Sequence, residues 1–154
     1  MVNNLIIKYQ KQLIIFSCLV ILFSVSSLLR NKNNNEELKN FSKSDIARFT
    51  ISNLFYKESR YIRTYEEKID GEMVYLAFYV RNSDYTTWGY KVKFDGNRVI
   101  WGGIYSPYDG YFNGRWRDSN YDEVNKFEEI NHKIKMTTQY SDGYVNTKYY
   151  HIGD

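Results

Sequence analysis

The chain has 154 residues, with 21 Lys and Arg against 18 Asp and Glu, a formal net charge of +3, one Cys and one Pro. Lys8, Lys11, Arg30 and Lys32 precede residue 36 and every acidic residue follows residue 35, so the remainder holds 17 basic against 18 acidic side chains. Near neutrality with no basic stripe argues against direct nucleic-acid binding, and a lone Cys18 rules out an internal disulfide framework.

Residues 12–29 read QLIIFSCLVILFSVSSLL, a run without formal charge. As a helix it would span roughly 27 Å, close to the hydrocarbon thickness of a bilayer. The run predicts a single transmembrane anchor, with residues 1–11 as a short cytoplasmic head and residues 30–40 as a polar stalk. A cleaved signal peptide competes with this reading, although Val25, Ser26 and Ser27 offer a poor cleavage site before Leu28 and Leu29 resume. Cys18 lies within the apolar run instead of after it, which is the wrong order for a lipoprotein signal.

Residues 41–154 suffice for one domain with one core. Ser42 with Asp45 three residues on predicts a capping box, and Phe41 with Ile46 a hydrophobic staple. Ala47, Ile51, Leu54 and Phe55 then recur at helical spacing, which predicts a helix over 43–58. After Arg60 the period becomes two. Strands are predicted over 61–69 and 72–81 around Asp70-Gly71, then over 88–94 and 98–105 around Asp95-Gly96-Asn97. Within 72–81 the buried set is read as Val74, Leu76, Phe78 and Val80.

Residues 106–116, SPYDGYFNGRW, are rich in turn formers and carry Tyr108, Tyr111, Phe112 and Trp116, a candidate partner interface. Ser119 and Asp122 repeat the capping pattern ahead of Val124, Phe127 and Ile130 or Ile134, which predicts a second helix. Two strands, 133–140 and 144–152, close the chain around Ser141-Asp142-Gly143. The expected fold is therefore α+β: a single transmembrane helix followed by an antiparallel sheet of about six strands and two packed helices, cystatin-like or NTF2-like.

No motif carries enzymatic chemistry. Gly102-Gly103, inside a strand, reads as a bulge or a close backbone approach. The adjacent acids Glu66-Glu67, Asp122-Glu123 and Glu128-Glu129 point to different sides of any strand or helix, as on solvated faces. The expectation is a non-enzyme without cofactor or metal. His132 and His151 are the candidate pH-responsive groups, because the unperturbed imidazole titrates between pH 5 and 8.

The layout itself, a short head with Lys8 and Lys11, the LIIFSCLVILFSVSSLL anchor, an otherwise cysteine-free chain and a Tyr-rich outer domain, resembles the MyfF/PsaF family of Yersinia fimbrial regulatory accessory proteins. The resemblance implies a bacterial inner-membrane protein, N-terminus cytoplasmic and C-terminal domain periplasmic. That domain would bind and stabilise a membrane-bound transcription activator and so promote fimbrial gene expression in response to acidity or temperature. The implied partners are that activator and the phospholipid bilayer, with homo-oligomers left open. Two alternatives share the layout: a membrane-tethered immunity or exclusion protein, and a small-ligand-binding periplasmic module.

Overall fold

The computed structural model describes residues 38–154. The predicted head and anchor, and the stalk up to residue 37, lie outside the described residues. The elements are helix α1 (Lys43–Phe55), a 3-10 turn (Ser59–Tyr61) and eight strands: β1 (Ile62–Ile69), β2 (Glu72–Val80), β3 (Thr87–Asp95), β4 (Arg98–Ser106), β5 (Gly110–Tyr111), β6 (Val124–Ile130), β7 (Lys133–Gln139) and β8 (Val145–His151). They form one open antiparallel sheet in the order β1-β2-β3-β4-β6-β7-β8, with β5 paired to the end of β4. The edges are β1 and β8.

Helix α1 starts where the capping pattern places it. Asp45 N–H donates to Ser42 Oγ at 3.1 Å, and Ser42 N–H donates back to Asp45 Oδ2 at 2.9 Å, which satisfies two otherwise orphaned donors. Phe41 and Ile46 are both buried, as a staple requires. The helix stops three residues early because Tyr56 adopts φ 53°, a left-handed cap whose N–H donates to the Ser52 carbonyl.

One face of α1 lies on the sheet and touches β1, β2, β3 and β7. Phe49 stacks on Tyr150 at 4.3 Å, while Phe55 stacks on Tyr90 at 4.5 Å and meets Trp101 edge-on at 5.4 Å. Aromatic rings thus fill the space between helix and sheet that a ligand cavity would need. Burying each such side chain contributes about 1.5–3 kcal/mol.

The face of β2 that meets the helix is Tyr75, Ala77 and Tyr79, not Val74, Leu76, Phe78 and Val80. Both faces of this strand are covered, so its hydrophobicity is continuous and the alternation carries no phase. Val80, expected inside, is 48% exposed.

The second predicted helix does not form, so the two-helix, six-strand expectation is corrected to one helix and eight strands among the described residues. Ser119 N–H and Oγ–H donate to Asp122 Oδ2 at 3.1 and 2.7 Å, half of a capping box, while Asp122 N–H donates to the Ser119 carbonyl at 3.2 Å and closes a turn. Beyond it Asn125 and Phe127 point inward at a period of two, and the polar Asn125 disguised the alternation. Asn131 and His132, at φ 49° and 62°, then make a two-residue reversal between β6 and β7 that no helix can cross.

A polar network joins α1 to the last three strands. Asn53 Nδ2 donates to Thr138 Oγ1 at 2.9 Å, Thr138 Oγ1 donates to Asn125 Oδ1 at 2.7 Å, and Asn146 Nδ2 donates to Asn53 Oδ1 at 3.1 Å. Asn125 Nδ2 is buried and finds no partner among the described residues. Tyr150 OH donates to Ser52 Oγ at 3.0 Å.

Candidate functional site at the long-loop end of the sheet

The two ends of the sheet are built differently. At one end the reversals are tight: Asp70-Gly71, Gly96-Asn97 and Asn131-His132, each joining strands through residues that accept positive φ. At the other end the chain crosses by a short turn at 107–109 and by longer connections at 81–86, 112–123 and 140–144. These connections, with the cap of α1, carry Tyr56, Tyr85, Tyr108, Tyr121 and Tyr144, and β5 adds Tyr111 beside them. Their exposures run from 58% at Tyr144 to 90% at Tyr121. Loops on a rigid sheet are where binding residues concentrate.

Ion pairs hold two of these loops in place. In the 81–86 loop Arg81 forks onto Asp84, with Nε to Oδ1 at 3.0 Å, and lies 5.5 Å over the Trp88 ring. Asp84 Oδ1 also accepts from Thr86 N–H at 3.1 Å, and Trp88 Nε1 donates to Thr86 Oγ1 at 3.1 Å. Hydrogen bonds from Arg81 and then Thr86 hold the Asp84 carboxyl well below the usual carboxylate range. The result is a fixed platform for Tyr85, which is 84% exposed and held at φ 56°. A tyrosine in that region is strained and persists only where its surroundings fix it.

The 112–123 loop is tied down in the same way. Arg115 donates through Nη1 and Nη2 to Asp122 at 2.7 and 2.6 Å, and the Asp122 side chain is only 2% exposed. Arg115 and Ser119 hold the Asp122 carboxyl well below its usual range. Trp101 Nε1 donates to Glu123 Oε1, and the Arg117 guanidinium lies 5.2 Å over the Trp101 ring.

Glycines let this loop lie along β4. The extra residue of a bulge falls in β4 where Gly89 faces Tyr105 and Tyr90 faces Gly103. A Cβ on Gly102 would sit 2.6 Å from the Arg115 carbonyl oxygen, and one on Gly103 would sit 2.9 Å from the Phe112 ring. Phe112, Gly114 and Arg117 N–H donate to the Ile104, Gly103 and Trp101 carbonyls, so the loop substitutes for a strand in the gap between β5 and β6.

The four predicted interface residues divide. Tyr108 and Tyr111 are each 77% exposed and share the long-loop end. Phe112 is 39% exposed and packs over Gly103 and Gly114. Trp116 is turned onto the sheet, where the Lys91 and Lys93 ammonium groups lie 4.3 and 4.8 Å from its ring centre. Lys91 is 3% exposed and donates to Asn113 Oδ1, and burial lowers its pKa. Trp116 is therefore a clamp on a buried cation.

His132 and His151 sit at the tight-turn end, away from the tyrosines, where Lys133 pairs with His151. Both are exposed. Among the described residues no group of three or more His, Cys, Asp or Glu is placed to hold a metal ion. Tyr85 and Tyr121 escaped the sequence reading because each stands alone between polar residues, and Tyr56 because it continues the apolar Leu54-Phe55 run of the helix; the arginine–aspartate spacings Arg81/Asp84 and Arg115/Asp122 were the available signal.

No family model, curated protein or solved structure matches this chain. The cystatin-like or NTF2-like assignment accordingly finds no structural counterpart. Nor do these comparisons support the roles expected in transcription regulation, fimbrium biogenesis or virulence.

Among the described residues no helix is long and apolar enough to cross a membrane. The reading of an inner-membrane, single-pass protein with a periplasmic domain is corrected to that extent: no described helix supports it, and its proposed anchor at 12–29 lies outside the described residues. Partnership with a bilayer or a membrane-bound activator loses its basis with it. The same holds for the tethered immunity or exclusion alternative and for the periplasmic ligand module.

Proposed function

We propose that residues 38–154 form a protein-recognition domain that acts by binding and not by catalysis, with the tyrosine-bearing loop end as its contact surface. The observation that carries this reading is the asymmetry of the sheet: exposed tyrosines are carried on or beside the connections at one end, two of which are pinned by arginine–aspartate forks. Tyrosine suits such a surface, because it offers a large amphipathic contact area with only two side-chain torsions to immobilise. Loops held rigid before contact reduce the ordering cost of binding.

The reading is tested by placing the photo-crosslinking amino acid p-benzoylphenylalanine at Tyr85, Tyr108, Tyr111 or Tyr121, with Tyr149 on β8 as the control. One protein partner crosslinked from the loop positions and not from Tyr149 is the expected result. A triple Tyr85→Ser, Tyr108→Ser, Tyr111→Ser variant should lose that partner while keeping its thermal stability. Equal crosslinking from Tyr149, or full binding by the triple variant, refutes the assignment.

A further inference from the structure

Strand β1 is an open edge whose outward face carries Arg63, Tyr65 and Glu67, a charge pattern that inverts in sign when the strand is reversed and so complements itself. The register with β2 sets Arg63 opposite Phe78, Tyr65 opposite Leu76 and Glu67 opposite Val74, on the face away from α1. The intervening Thr64 faces the helix, where its hydroxyl meets the Ser44 hydroxyl at 2.7 Å. Arg63, Tyr65 and Glu67 are all exposed, and neither Arg63 nor Glu67 belongs to an ion pair among the described residues. Exposed edges are templates for pairing unless charge, proline or a bulge blunts them, and the outward charges of β1 are ones that a second, reversed copy would neutralise.

We infer that two copies of the chain pair antiparallel through β1, about a two-fold axis at Tyr65. That axis places Tyr65 against Tyr65 of the second copy and sets each Arg63 opposite the other copy's Glu67. On the helix side it sets Thr64 opposite Glu66 and Ile62 opposite Lys68. Opposite charges and aromatic pairs directly across a strand pair are stabilising; the two-fold makes the Arg63–Glu67 pair twice and the Tyr65–Tyr65 pair once, on the axis. The outward aromatic row, in which Tyr65 meets Phe78 edge-on at 6.3 Å, then runs unbroken from one copy into the other.

The other edge lacks this property. The basic side chains of β8 are Lys148 and His151 and the strand carries no acidic one, so no self-pairing of it brings opposite charges together. A two-fold axis at its centre would instead set Lys148 against its own copy.

The test uses the full-length chain in a Cys18→Ser background. Tyr65→Cys is expected to form a covalent dimer on mild oxidation, since residues opposed across an antiparallel pair lie about 4.5–5.5 Å apart at Cα, within disulfide reach. Tyr149→Cys on β8 should not. By sedimentation velocity, Arg63→Glu alone and Glu67→Arg alone should each weaken self-association about tenfold or more. The double variant, and an equimolar mixture of the two single variants, should restore it, the mixture as a heterodimer. A wild-type chain that stays monomeric at the highest soluble concentration overturns the inference. So does association that ignores both reversals, or crosslinking as efficient at Tyr149→Cys.

Discussion

Replacing Thr138 with Val isolates the polar link between α1 and the sheet. The shapes nearly match, so the hydrophobic term favours the variant, and any loss of stability must come from the hydroxyl. That hydroxyl is buried, accepts from Asn53 at 2.9 Å and donates to Asn125 at 2.7 Å. Removing it leaves the Asn53 amide donor and the Asn125 amide oxygen unpaired beside an Asn125 nitrogen that already lacks a partner. At about 1–3 kcal/mol for each stranded buried group, the expected loss is about 2–4 kcal/mol after the gain from the added methyl. Urea unfolding followed by tryptophan fluorescence should show a lower midpoint with an unchanged slope. A neutral or more stable Thr138→Val variant would refute the view that this network holds the helix down.

Phe49→Ala should cost about 3–5 kcal/mol in the same assay, because Phe49 is 1% exposed and sandwiched between Tyr150 and Phe41. His132→Gly should instead stabilise by about 1 kcal/mol, since His132 is held at φ 62° in a turn that glycine adopts without strain. Gly102→Ala should cost about 1–3 kcal/mol and speed amide exchange at Gly114 and Arg117, because its methyl would drive the Arg115 carbonyl off β4. Alkali should unfold the protein. Burial pushes the Tyr150 phenol up to about 12 from 10.0, so the unfolded chain ionises first, and stability present below pH 10 is lost as pH rises through about 12. Tyr150→Phe should flatten that limb of the stability profile, read by circular dichroism across the range.

The first helix and six of the strands were legible because their signals were local. The Ser42/Asp45 capping box needs only neighbouring residues, and four Asp-Gly pairs mark where the chain reverses. The second predicted helix rested on an equally local signal: Asp122 accepts from Ser119 as in a capping box, but Asp122 N–H donates to the Ser119 carbonyl and closes a turn. The deciding factor was distant, since Arg98 and Val99 of β4 pair with Lys126 and Asn125 and draw that segment into the sheet. The Asn131-His132 reversal lacked the glycine that would have announced it. At the candidate site, Tyr108 and Tyr111 were legible as exposed aromatics among turn residues. The role of Trp116 was not, because it depends on Lys91 being buried beneath it from another strand.

The contacts that seat α1 reach far along the chain. Each strand from β2 to β4 pairs with the one before it, whereas Asn53 waits for Thr138, Ser52 for Tyr150 and Asn40 for Glu129. During synthesis, the first four strands can therefore zip together while the helix still lacks half of its cover. The final hairpin must then close a loop of 85 to 98 residues to deliver Thr138 and Tyr150. Until those last strands leave the ribosome, Phe49 has no stacking partner, and the nascent domain exposes the aromatic surface that the finished fold keeps driest.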